Sequence, residues 1–405
     1  MPREQLFVGL EIGTTKICVV VAEGLPDGSI HILGVGETPS RGVRKGEIID
    51  FNSATECVRE AIIDAEEKSN VEIRSVWVAI SGGHLQSFNN RGTWVLPNDH
   101  EAINEEDLRM VELNAKEVTL PAANAFLHTI IQSYHVDGNR NVIDPLGMVA
   151  SRLEADFHIV HGVKNRIQNT LRSLESLHLD VEDIVMSSLA SAQVVLTQQQ
   201  KDQGALVIDL GGGTTDFLLY LDGAVRHSGV LALGGDHLTN DISIGLRLPI
   251  VRSELLKIEE GSLLLSDSLP GEKISLKNDA GFSGCEIERH ALNTIMNARM
   301  QELLELLRRD VERACHLDLL GAGIMLTGGC SKLRGIKKLT EDIFQLPVFL
   351  PAATHVSGPT SAFENPEFST AIGLTKYANA VYCQIPQENL LSKIVGVFGG
   401  FFGKK

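Results

Sequence analysis

Short apolar runs separated by glycine turns mark the beginning of the chain. Residues 6–12, LFVGLEI, and 17–22, ICVVVA, are rich in strand-forming side chains and flank the polar segment GTTK. This pattern predicts a β-hairpin with a tight turn. The same order returns from residue 204 onward, where ALVIDLGGGTTDFLLYLDG again places an acid before a glycine turn and two threonines. A repeat of this kind predicts two related lobes that face each other.

Between and after the two hairpins, helical and strand patterns alternate. Residues 52–69 have apolar side chains at helical spacing, begin with the capping residues Asn52 and Ser53, and lead to the strand VWVAIS. Between about 84 and 158 the pattern changes to a polar, capped helix followed by the strands LHTIIQSYHV and LEADFHIV. The remaining predicted elements are an amphipathic helix at 164–178, a strand at 181–186, a mostly helical stretch at 252–314 and a strand at 322–328.

Composition narrows the classes of function. The 405 residues carry a formal net charge of −16, which argues against general nucleic-acid binding and limits membrane attraction to a local patch. The six cysteines form no CxxC motif, so we expect buried thiols in a reducing cytosol rather than disulfides. No window reaches the roughly 20 apolar residues of a spanning helix. The N-terminus enters a strand without a secretory signal, so we expect a cytosolic protein.

The two glycine turns carry the groups that a nucleoside triphosphate requires. Backbone N–H groups in glycine turns approach phosphates closely, and a nearby carboxylate can hold Mg²⁺. The first set is Glu11, Gly13, Thr14, Thr15 and Lys16. The second set is Asp209, Gly211, Gly212, Gly213, Thr214 and Thr215.

A third glycine pair, Gly328 and Gly329, follows a predicted strand and precedes a predicted helix, which suits the remaining phosphate and the ribose. Alone, each glycine turn is equally compatible with an ordinary hairpin turn; the three together favour a nucleotide site. Two rival nucleotide motifs fail, because G-x-x-x-x-G-K-[ST] is absent and GVGETP at 34–39 breaks the G-x-G-x-x-G spacing at Pro39.

At these segments the chain resembles the superfamily of actin, the sugar kinases and the heat-shock chaperone ATPases. The matching segments are GLEIGTTK, VIDLGGGTTDF and IMLTGGCSKLRGI, with MSSLASAQVVL and STAIGLTKYA in the positions of the two connecting helices. Within the superfamily it is most similar to the FtsA family of bacterial cell-division proteins. The segments that carry this closer resemblance are LEIGTTKI, GGDHLTNDI, LTGGCSKLRGI and RKGEIIDFNSATECVREAI.

The resemblance covers essentially the whole chain and implies an α/β, actin-like fold with two lobes, four subdomains, and ATP and Mg²⁺ between the lobes. The implied parts are subdomain 1A at 6–83 and 161–203, an inserted α+β subdomain 1C at 84–160, subdomain 2A at 204–245 and 315–385, subdomain 2B at 246–314, and a linker with a C-terminal amphipathic helix at 386–405.

Residue by residue, the resemblance assigns both glycine-turn sets to ATP and places Glu11 and Asp209 near Mg²⁺, through water. The other implied ATP-site residues are Gly234, Gly235, Asp236, Glu254, Lys257, Gly328, Gly329 and Ser331. Two departures weaken the case for hydrolysis. Glu11 stands where actin and the chaperones have Asp, and Ser187 stands where the chaperones have a water-orienting Glu. We therefore assign no catalytic residue and expect at most a slow ATPase.

Two further features have competing interpretations. His158 and His161 in HIVH are three residues apart, so on a strand they point to opposite faces and a structural role is favoured over a metal site. Arg289 and Arg299 resemble basic residues of the FtsA region that receives the acidic C-terminal peptide of FtsZ. Ordinary exposed arginines are an equally good interpretation of these two positions.

The C-terminal segment IVGVFGGFFGKK is unusually apolar. On a helix its apolar residues share one broad face, lysines flank that face, and four glycines weaken the helix in water. By position and character it resembles the membrane-targeting helix of FtsA; docking on the body of the protein is the alternative. The residues concerned are Leu390, Leu391, Lys393, Ile394, Val397, Phe398, Phe401, Phe402, Lys404 and Lys405.

The sequence thus predicts an ATP-binding actin-like protein that polymerises and anchors FtsZ filaments to the cytoplasmic face of the inner membrane at the division septum. The expected partners are the FtsZ C-terminal peptide, further copies of the chain, later division proteins and anionic lipids, but not nucleic acid. Two alternatives remain open, a pilus-assembly-type actin-like adaptor and a small-molecule kinase on the same fold.

Overall fold

The computed structural model describes residues 5–97, 102–278 and 283–384. The N-terminal part forms a meander of strands followed by a helix. These elements are β1 Gln5–Ile12, β2 Lys16–Gly24, β3 Ile30–Pro39, β4 Val43–Arg44, β5 Glu47–Ile48, α1 Phe51–Ser69 and β6 Ser75–Ile80. The next part, called the insert here, comprises β7 Gln86–Val95, α2 Glu105–Ala115, β8 Asn124–Val136, β9 Asn139–Val142 and β10 Arg152–Val163.

The chain then returns to the first lobe and crosses into the second. The connecting elements are α3 Lys164–Glu175, β11 Asp180–Met186, α4 Ser187–Val195 and α5 Gln198–Asp202. The second lobe contains β12 Ala205–Leu210, β13 Thr215–Leu221, β14 Ala224–Leu231, α6 Gly235–Leu246, α7 Ile250–Glu259, β15 Lys273–Ser275, β16 Glu286–Glu288, α8 Arg289–Ala314, β17 Gly323–Thr327, α9 Ile336–Phe344 and β18 Val348–Phe349. The last elements are β19 Val356–Ser357, α10 Thr360–Phe363 and α11 Ser369–Gln384.

The two lobes have the same sheet topology. In lobe one the strand order is β11-β6-β1-β2-β3-β19, with an antiparallel meander β1-β2-β3 and parallel pairing of β6 with β1 and β11. Lobe two repeats the first five strands of this order as β18-β17-β12-β13-β14, and β19 is an additional edge strand of lobe one. Glu11 pairs with Cys18 across the first hairpin, and Asp209 pairs with Asp216 across the second. The repeat predicted from the sequence is therefore a repeat of the fold.

The insert is a small α+β unit with its own core. Its four strands form an antiparallel sheet in the order β7-β10-β8-β9, and α2 packs on one face. Asn104 caps α2 by accepting hydrogen bonds from two backbone N–H groups of the first turn, and Asp107 bonds back to the Asn104 backbone. This capping box fixes where the helix begins. The predicted inserted subdomain is present, with its strands extending slightly beyond the predicted ends.

Helix α1 begins one residue earlier than predicted because its cap is Asp50. The Asp50 carboxylate accepts from Ser53 N at 3.2 Å and from Ser53 Oγ at 2.7 Å. Asn52 and Ser53, predicted as the cap, lie in the first turn instead. The helix ends at Asn70, whose left-handed φ of 56° closes it. The apolar face of α1 packs on β2 and β3, which stabilises the sheet that carries the first hairpin.

The lobes are joined by the crossing of α4 and α11. These are the two connecting helices expected from the sequence, and they pack closely because Gly373 has no side chain. A Cβ atom on Gly373 would lie 2.0 Å from the carbonyl oxygen of Ala190, so any larger residue would force the helices apart. Nearly all of α4 is buried, and its sequence SSLASAQVV consists mostly of small side chains, which suits a close helix crossing.

All six cysteines are free; Cys18, Cys57 and Cys330 are buried, as expected. Cys285 and Cys383 are exposed, so the expectation of burial is wrong for them. Within the described ranges, none of the helices is long and apolar enough to cross a bilayer.

Candidate nucleotide-binding site

The tips of the two predicted hairpins meet between the lobes. Each turn is closed by the same backbone bond, from Gly13 N to Lys16 O at 3.0 Å and from Gly211 N to Thr214 O at 2.9 Å. A Cβ atom on Gly212 would lie 2.0 Å from Thr15 Oγ1. Only glycine therefore permits the backbones to approach this closely, and the approach leaves N–H groups from both lobes beside one cavity.

That cavity has a volume of about 360 Å³ and is lined by both hairpins. Most of the site residues expected from the sequence line it. They are Glu11, Gly13, Thr14, Thr15, Lys16, Asp209, Gly211, Gly212, Gly213, Thr214, Gly235, Asp236, Glu254, Lys257, Gly328 and Gly329. The three glycine segments, far apart in the chain, thus converge on one enclosed space of the size that small-molecule sites have.

Three of the expected site residues do not line the cavity. Thr215 is fully buried and donates to Leu233 O at 2.9 Å, which ties the second hairpin to the segment before α6. Gly234 is the N-cap of α6, and Ser331 donates to Gly328 O at 2.7 Å. These three residues stabilise the loops, and the residues next to them in the chain line the cavity.

Three carboxyl groups lie on the floor of the cavity: Glu11, Asp209 and Asp216. Burial, reinforced by the charge of Asp209, raises the pKa of Glu11 to about 8. Burial raises the pKa of Asp209 to about 6, with Thr370 opposing by donating a 2.9 Å hydrogen bond. Burial and the Asp209 charge raise the pKa of Asp216 to about 7. Three neighbouring carboxyl groups with raised pKa values are more easily ionised when a cation is bound beside them. The cavity floor therefore favours a cation.

The unpartnered oxygens of this floor fit Mg²⁺. Glu11 Oε2 and Asp216 Oδ1 are buried without a hydrogen-bond partner, which is costly unless a ligand completes them. In the described part of the chain, no group of three or more His, Cys, Asp or Glu side chains is spaced to hold a metal directly. Glu11, Asp209 and Asp216 would therefore hold Mg²⁺ through water, and the ion would supply charge neutralisation for phosphate oxygens.

A pair of lysines shares one carboxylate at the cavity edge. Lys16 Nζ lies 3.0 Å from Glu367 Oε2 and 3.9 Å from the centre of the Phe368 ring. Lys332 Nζ lies 2.7 Å from the other oxygen, Glu367 Oε1. These contacts hold the ammonium group of Lys16 beside the first hairpin, where it can meet a phosphate. Glu367 and Lys332 were not expected from the sequence, since no local pattern connects them to the glycine turns.

The opposite wall of the cavity comes from α6 and α7. Lys257 is buried and donates to Gly235 O at 3.2 Å, to Thr239 Oγ1 at 2.9 Å and to Glu254 Oε2 at 2.7 Å. Thr239 also donates to Glu254. The Lys257 charge is thus compensated inside the wall, and the segment presents a fixed polar surface to the cavity.

Ser187 begins α4 and lines the cavity, but it brings a hydroxyl where a carboxylate base would be needed. The pKa values of Glu11 and Asp209, which line the same cavity, are raised because these acids are buried. The geometry provides for binding more clearly than for activation of water.

Asp216 and Ser81 are functional candidates that the sequence reading missed. Ser81 Oγ donates to Asp216 Oδ2 at 2.7 Å and lies 3.2 Å from Thr214 Oγ1. Asp216 belongs to the quoted GGGTTD segment, and period-two alternation from Thr214 places both side chains on the same face. That alternation could have identified Asp216 as a site residue from the sequence. No sequence pattern connects Ser81 with the site.

The other predicted sites lie away from the cavity. Arg289 bonds to Glu260 and Glu272, each at 2.6 Å, and Arg299 bonds to Asp241 and Glu302. An acidic peptide would therefore have to exchange with carboxylates of this chain. The predicted membrane-binding residues, Leu390, Leu391, Lys393, Ile394, Val397, Phe398, Phe401, Phe402, Lys404 and Lys405, lie outside the described residues.

His158 and His161 face opposite sides of β10, as the strand pattern predicts. His158 bonds to Asn89 Oδ1 at 2.7 Å and to Ser228 Oγ at 2.8 Å, while His161 bonds to Asn124 at 2.9 Å. The two imidazoles have separate partners, and His158 is fully buried. Their role is structural, and that of His158 is to join the insert to lobe two.

Duplicated lobes, paired hairpin turns and the cavity between them define the actin-like class of folds. Solved structures agree: the PilM–PilN type IV pilus biogenesis complex aligns with a TM-score of 0.66 at 17% identity, covering 94% of this chain and 99% of that one. MreB5 of Spiroplasma citri bound to ADP aligns with a TM-score of 0.53 at 14% identity, covering 94% and 98%.

Sequence comparison specifies the family. The family model "Cell division protein FtsA" matches residues 206–373, and "SHS2 domain inserted in FTSA" matches residues 82–161. Cell division protein FtsA of Pseudomonas aeruginosa is 38% identical over 373 residues, 92% of this chain and 89% of the relative. FtsA of Neisseria meningitidis is 34% identical over 389 residues, 96% and 94%, and FtsA of Escherichia coli K12 is 33% identical over 380, 92% and 90%. The chain belongs to the FtsA family of cell division proteins.

Proposed function

We propose that this chain binds ATP with Mg²⁺ between its lobes and uses the bound nucleotide to hold the lobes in the geometry needed for polymerisation. The observation that carries the proposal is the cavity between the two hairpins, whose floor has buried carboxylate oxygens without partners. Glycine N–H groups, threonine hydroxyls and Lys16 surround the space that the phosphates would occupy. The actin-like neighbour from Spiroplasma citri, bound to ADP in one structure and to AMPPNP in another, supports nucleotide as the ligand class.

The role of the nucleotide is structural more than catalytic. Ser187 cannot act as a carboxylate base, and Glu11 carries an extra methylene relative to the Asp of active ATPases. Turnover is accordingly at most slow, and each subunit keeps its nucleotide for long periods. A scaffold benefits from this, because the polymer then persists while the partners assemble.

The proposed cellular role is to anchor FtsZ filaments to the cytoplasmic face of the inner membrane at the septum. Membership of the FtsA family supports this role, with the FtsZ C-terminal peptide near Arg289 and Arg299 and later division proteins as further partners. The apolar, lysine-flanked segment at 388–405 is the proposed membrane contact, on anionic lipids.

Magnitudes favour a polymer over single molecules at the membrane. Burying one large apolar side chain contributes roughly 1.5 to 3 kcal/mol, and ordering a glycine-rich helix costs on the order of 1 kcal/mol or more per residue. One tail therefore binds reversibly. Linking many tails in a filament raises the overall affinity by roughly 10² to 10⁴-fold.

The experiment that tests the proposal is co-sedimentation with liposomes containing anionic lipid. Full-length protein and a variant truncated before residue 388 are compared with and without ATP and Mg²⁺. We expect ATP to increase sedimentation of the full-length protein and truncation to abolish it. Equal sedimentation in all four arms would refute the proposal. Tail-independent binding would favour the pilus-type adaptor, and rapid phosphate transfer to a small alcohol would favour a kinase.

A further inference from the structure

A second cavity lies behind the turn between β4 and β5. Its volume is about 300 Å³, and it is lined by that turn, by the exposed Ile49 after β5, by Gly83 at the root of the insert, by Arg166 of α3 and by Ala232 of lobe two. The turn separates it from the nucleotide cavity, because Gly46 lines the nucleotide cavity while its neighbours Lys45 and Glu47 line the second one. Gly46 N also donates to Thr14 Oγ1 at 3.1 Å, so the turn is fixed to the first hairpin.

The charge of this second cavity is opposite to that of the molecule. Arg44, Lys45 and Arg166 face a single acid, Glu47, in a chain of net charge −16. Glu47 is paired with Arg166. Within the described ranges, Arg44 and Lys45 have no ion-pair partner. Two positive charges are therefore left uncompensated in one concave space, and its lining brings no other charged group to balance them.

Lys45 has a left-handed backbone conformation in this turn. Lys45 and Gly46 have φ values of 52° and 74°, as a two-residue hairpin turn requires. Arg44 and Glu47 are opposite each other in the register of the two short strands that flank the turn. Asparagine and glycine accept such values readily, whereas lysine does so at a cost.

Lobe two contributes to the same space. Ala232 lies just before the glycine pair that begins α6, and a Cβ atom on Gly83 would come within 3.1 Å of the Ala232 Cβ. His237 in the first turn of α6 has its pKa lowered by burial and then by the charge of Lys45, so Lys45 lies within electrostatic reach of that helix.

We propose that this cavity is a second oxyanion site, separate from the nucleotide site, and that it takes free inorganic phosphate. Two unpaired cations on one tight turn, with an arginine opposite, match a tetrahedral dianion that accepts several charge-assisted hydrogen bonds. Its position across Gly46 from Thr14 means that an occupant would stabilise the turn that supports the first hairpin. The site requires no bound nucleotide and stands independently of the proposed ATP function.

The test is calorimetric titration of inorganic phosphate into the full chain at low ionic strength, alone and with a saturating non-hydrolysable ATP analogue. Lys45→Asn keeps the left-handed turn and removes the charge, and Arg44→Gln removes the second cation. Arg41→Gln is the matched control, because Arg41 is in the same segment but pairs with Glu60 outside the cavity. Circular dichroism checks that each variant folds.

We expect phosphate binding in the presence of the analogue, weakened roughly tenfold by each of Lys45→Asn and Arg44→Gln and unchanged in Arg41→Gln. Sulfate should compete and added NaCl should weaken binding. Binding equal in all variants, or absent, overturns the proposal. So does an equal loss of nucleotide affinity in the two cavity variants, since the cavity would then serve the nucleotide itself. The chain could instead self-associate in a concentration-dependent manner that both cavity variants abolish and that phosphate does not change. The cavity would then bind carboxylates of a second copy, and the proposal would be overturned. Failure of the analogue to bind in a separate titration bears only on the proposed ATP function.

Discussion

Ser81 Oγ donates a 2.7 Å hydrogen bond to Oδ2 of Asp216, joining the root of the insert to the phosphate hairpin of the opposite lobe. Ser81 follows β6 of lobe one directly and precedes the first strand of the insert. The other oxygen of Asp216 is buried without a hydrogen-bond partner, and Asp216 lines the nucleotide cavity. A ligand that engages Asp216 therefore acts on a residue already bonded to the segment that leads into the insert.

Ser81→Ala should uncouple the insert from the nucleotide site. Removing the donor leaves a buried carboxylate with one partner fewer, so we expect Mg²⁺-dependent ATP affinity to fall by roughly three- to tenfold. Hydrogen exchange along β7 and β14 should then respond less to nucleotide than in the parent chain. The control is Ser268→Ala, which removes an exposed hydroxyl bonded within lobe two. Unaltered affinity and exchange in Ser81→Ala would contradict the coupling.

Glu11→Gln should stabilise the nucleotide-free protein at alkaline pH. The pKa of Glu11 is raised to about 8 in the folded chain, so folding retains a proton that the unfolded chain releases above about 4.5. Stability is therefore lost as pH rises through this window. Urea denaturation at pH 5 and pH 8 should show a shallower decline in the variant, with a gain on the order of 2 kcal/mol at pH 8.

The same variant should lose Mg²⁺-dependent nucleotide affinity, because an amide cannot balance the ion. Glu56→Gln, an exposed acid of α1 in an ion pair with Arg59, is the matched control and should retain the parent pH profile. If Glu11→Gln and the parent chain had parallel stability profiles, the inferred titration of Glu11 would be wrong.

His158→Gln should destabilise the protein at neutral pH and make less difference in acid. Burial lowers the pKa of His158 to about 3, so the unfolded chain takes up a proton below about 6.5 while the folded chain does not. The stability contributed by neutral His158 is complete above that pH and is lost as pH falls. We expect a loss of about 1 to 3 kcal/mol at pH 7.5 that shrinks towards pH 5.

The measurement is urea denaturation at both pH values, with exposed His316→Gln as the control. A difference between parent and His158→Gln that stayed constant over the range would rule out this titration. The direction is opposite to that expected for Glu11, so the two effects can be separated in single variants.

Gly213→Ala should weaken nucleotide binding without unfolding the chain. The added carbon would lie 2.3 Å from Thr14 Oγ1, so the hairpin tips would have to separate. Each hairpin belongs to its own lobe, so stability should change by less than about 1 kcal/mol while ATP affinity falls at least tenfold. Gly329→Ala should lose less ATP affinity than Gly213→Ala, because its added carbon would be 3.5 Å from the nearest atom. Fluorescent-nucleotide titration and thermal melting measure the two effects; equal affinities for the two variants would contradict the argument.

Glu302→Gln should tighten binding of the FtsZ C-terminal peptide, and Arg299→Glu should abolish it. In the free chain the carboxylate of Glu302 forms an ion pair with the guanidinium of Arg299. Removing the charge of Glu302 therefore frees an N–H donor of Arg299 for an acidic peptide. Arg309→Glu on the same helix is the control, because Arg309 is 70% exposed and pairs only weakly with Glu305. Fluorescence anisotropy of labelled peptide at two salt concentrations measures the effect. Equal peptide affinity in Arg299→Glu and Arg309→Glu would exclude Arg299 as a contact.

The fold could be predicted from the sequence because each hairpin carries its pattern locally. An acid, a glycine turn and two threonines between apolar runs suffice to place Glu11 and Asp209 at matching positions of two sheets. The family resemblance then specified the insert. Family membership and the actin-like class are confirmed by comparison.

The rest of the site could not be predicted because it depends on contacts between distant segments. Glu367 meets Lys16 from the far end of the chain, and Ser81 meets Asp216 from the opposite lobe. Thr215 was assigned to the cavity by motif, yet strand alternation turns it away between Thr214 and Asp216. The sequence likewise cannot show that Arg289 is already held by two carboxylates.

The insert is connected along the chain to lobe one, but its side chains form hydrogen bonds with β14 of lobe two. Ser87 donates to Ser228 O at 2.7 Å, Asn89 to Arg226 O at 3.0 Å and Gln132 to Val225 O at 2.7 Å. Together with the α4–α11 crossing, these bonds close a ring of attachments around the cavity. A simple hinge motion would have to break these bonds, so we expect release of a bound nucleotide to require that the insert first separate from β14.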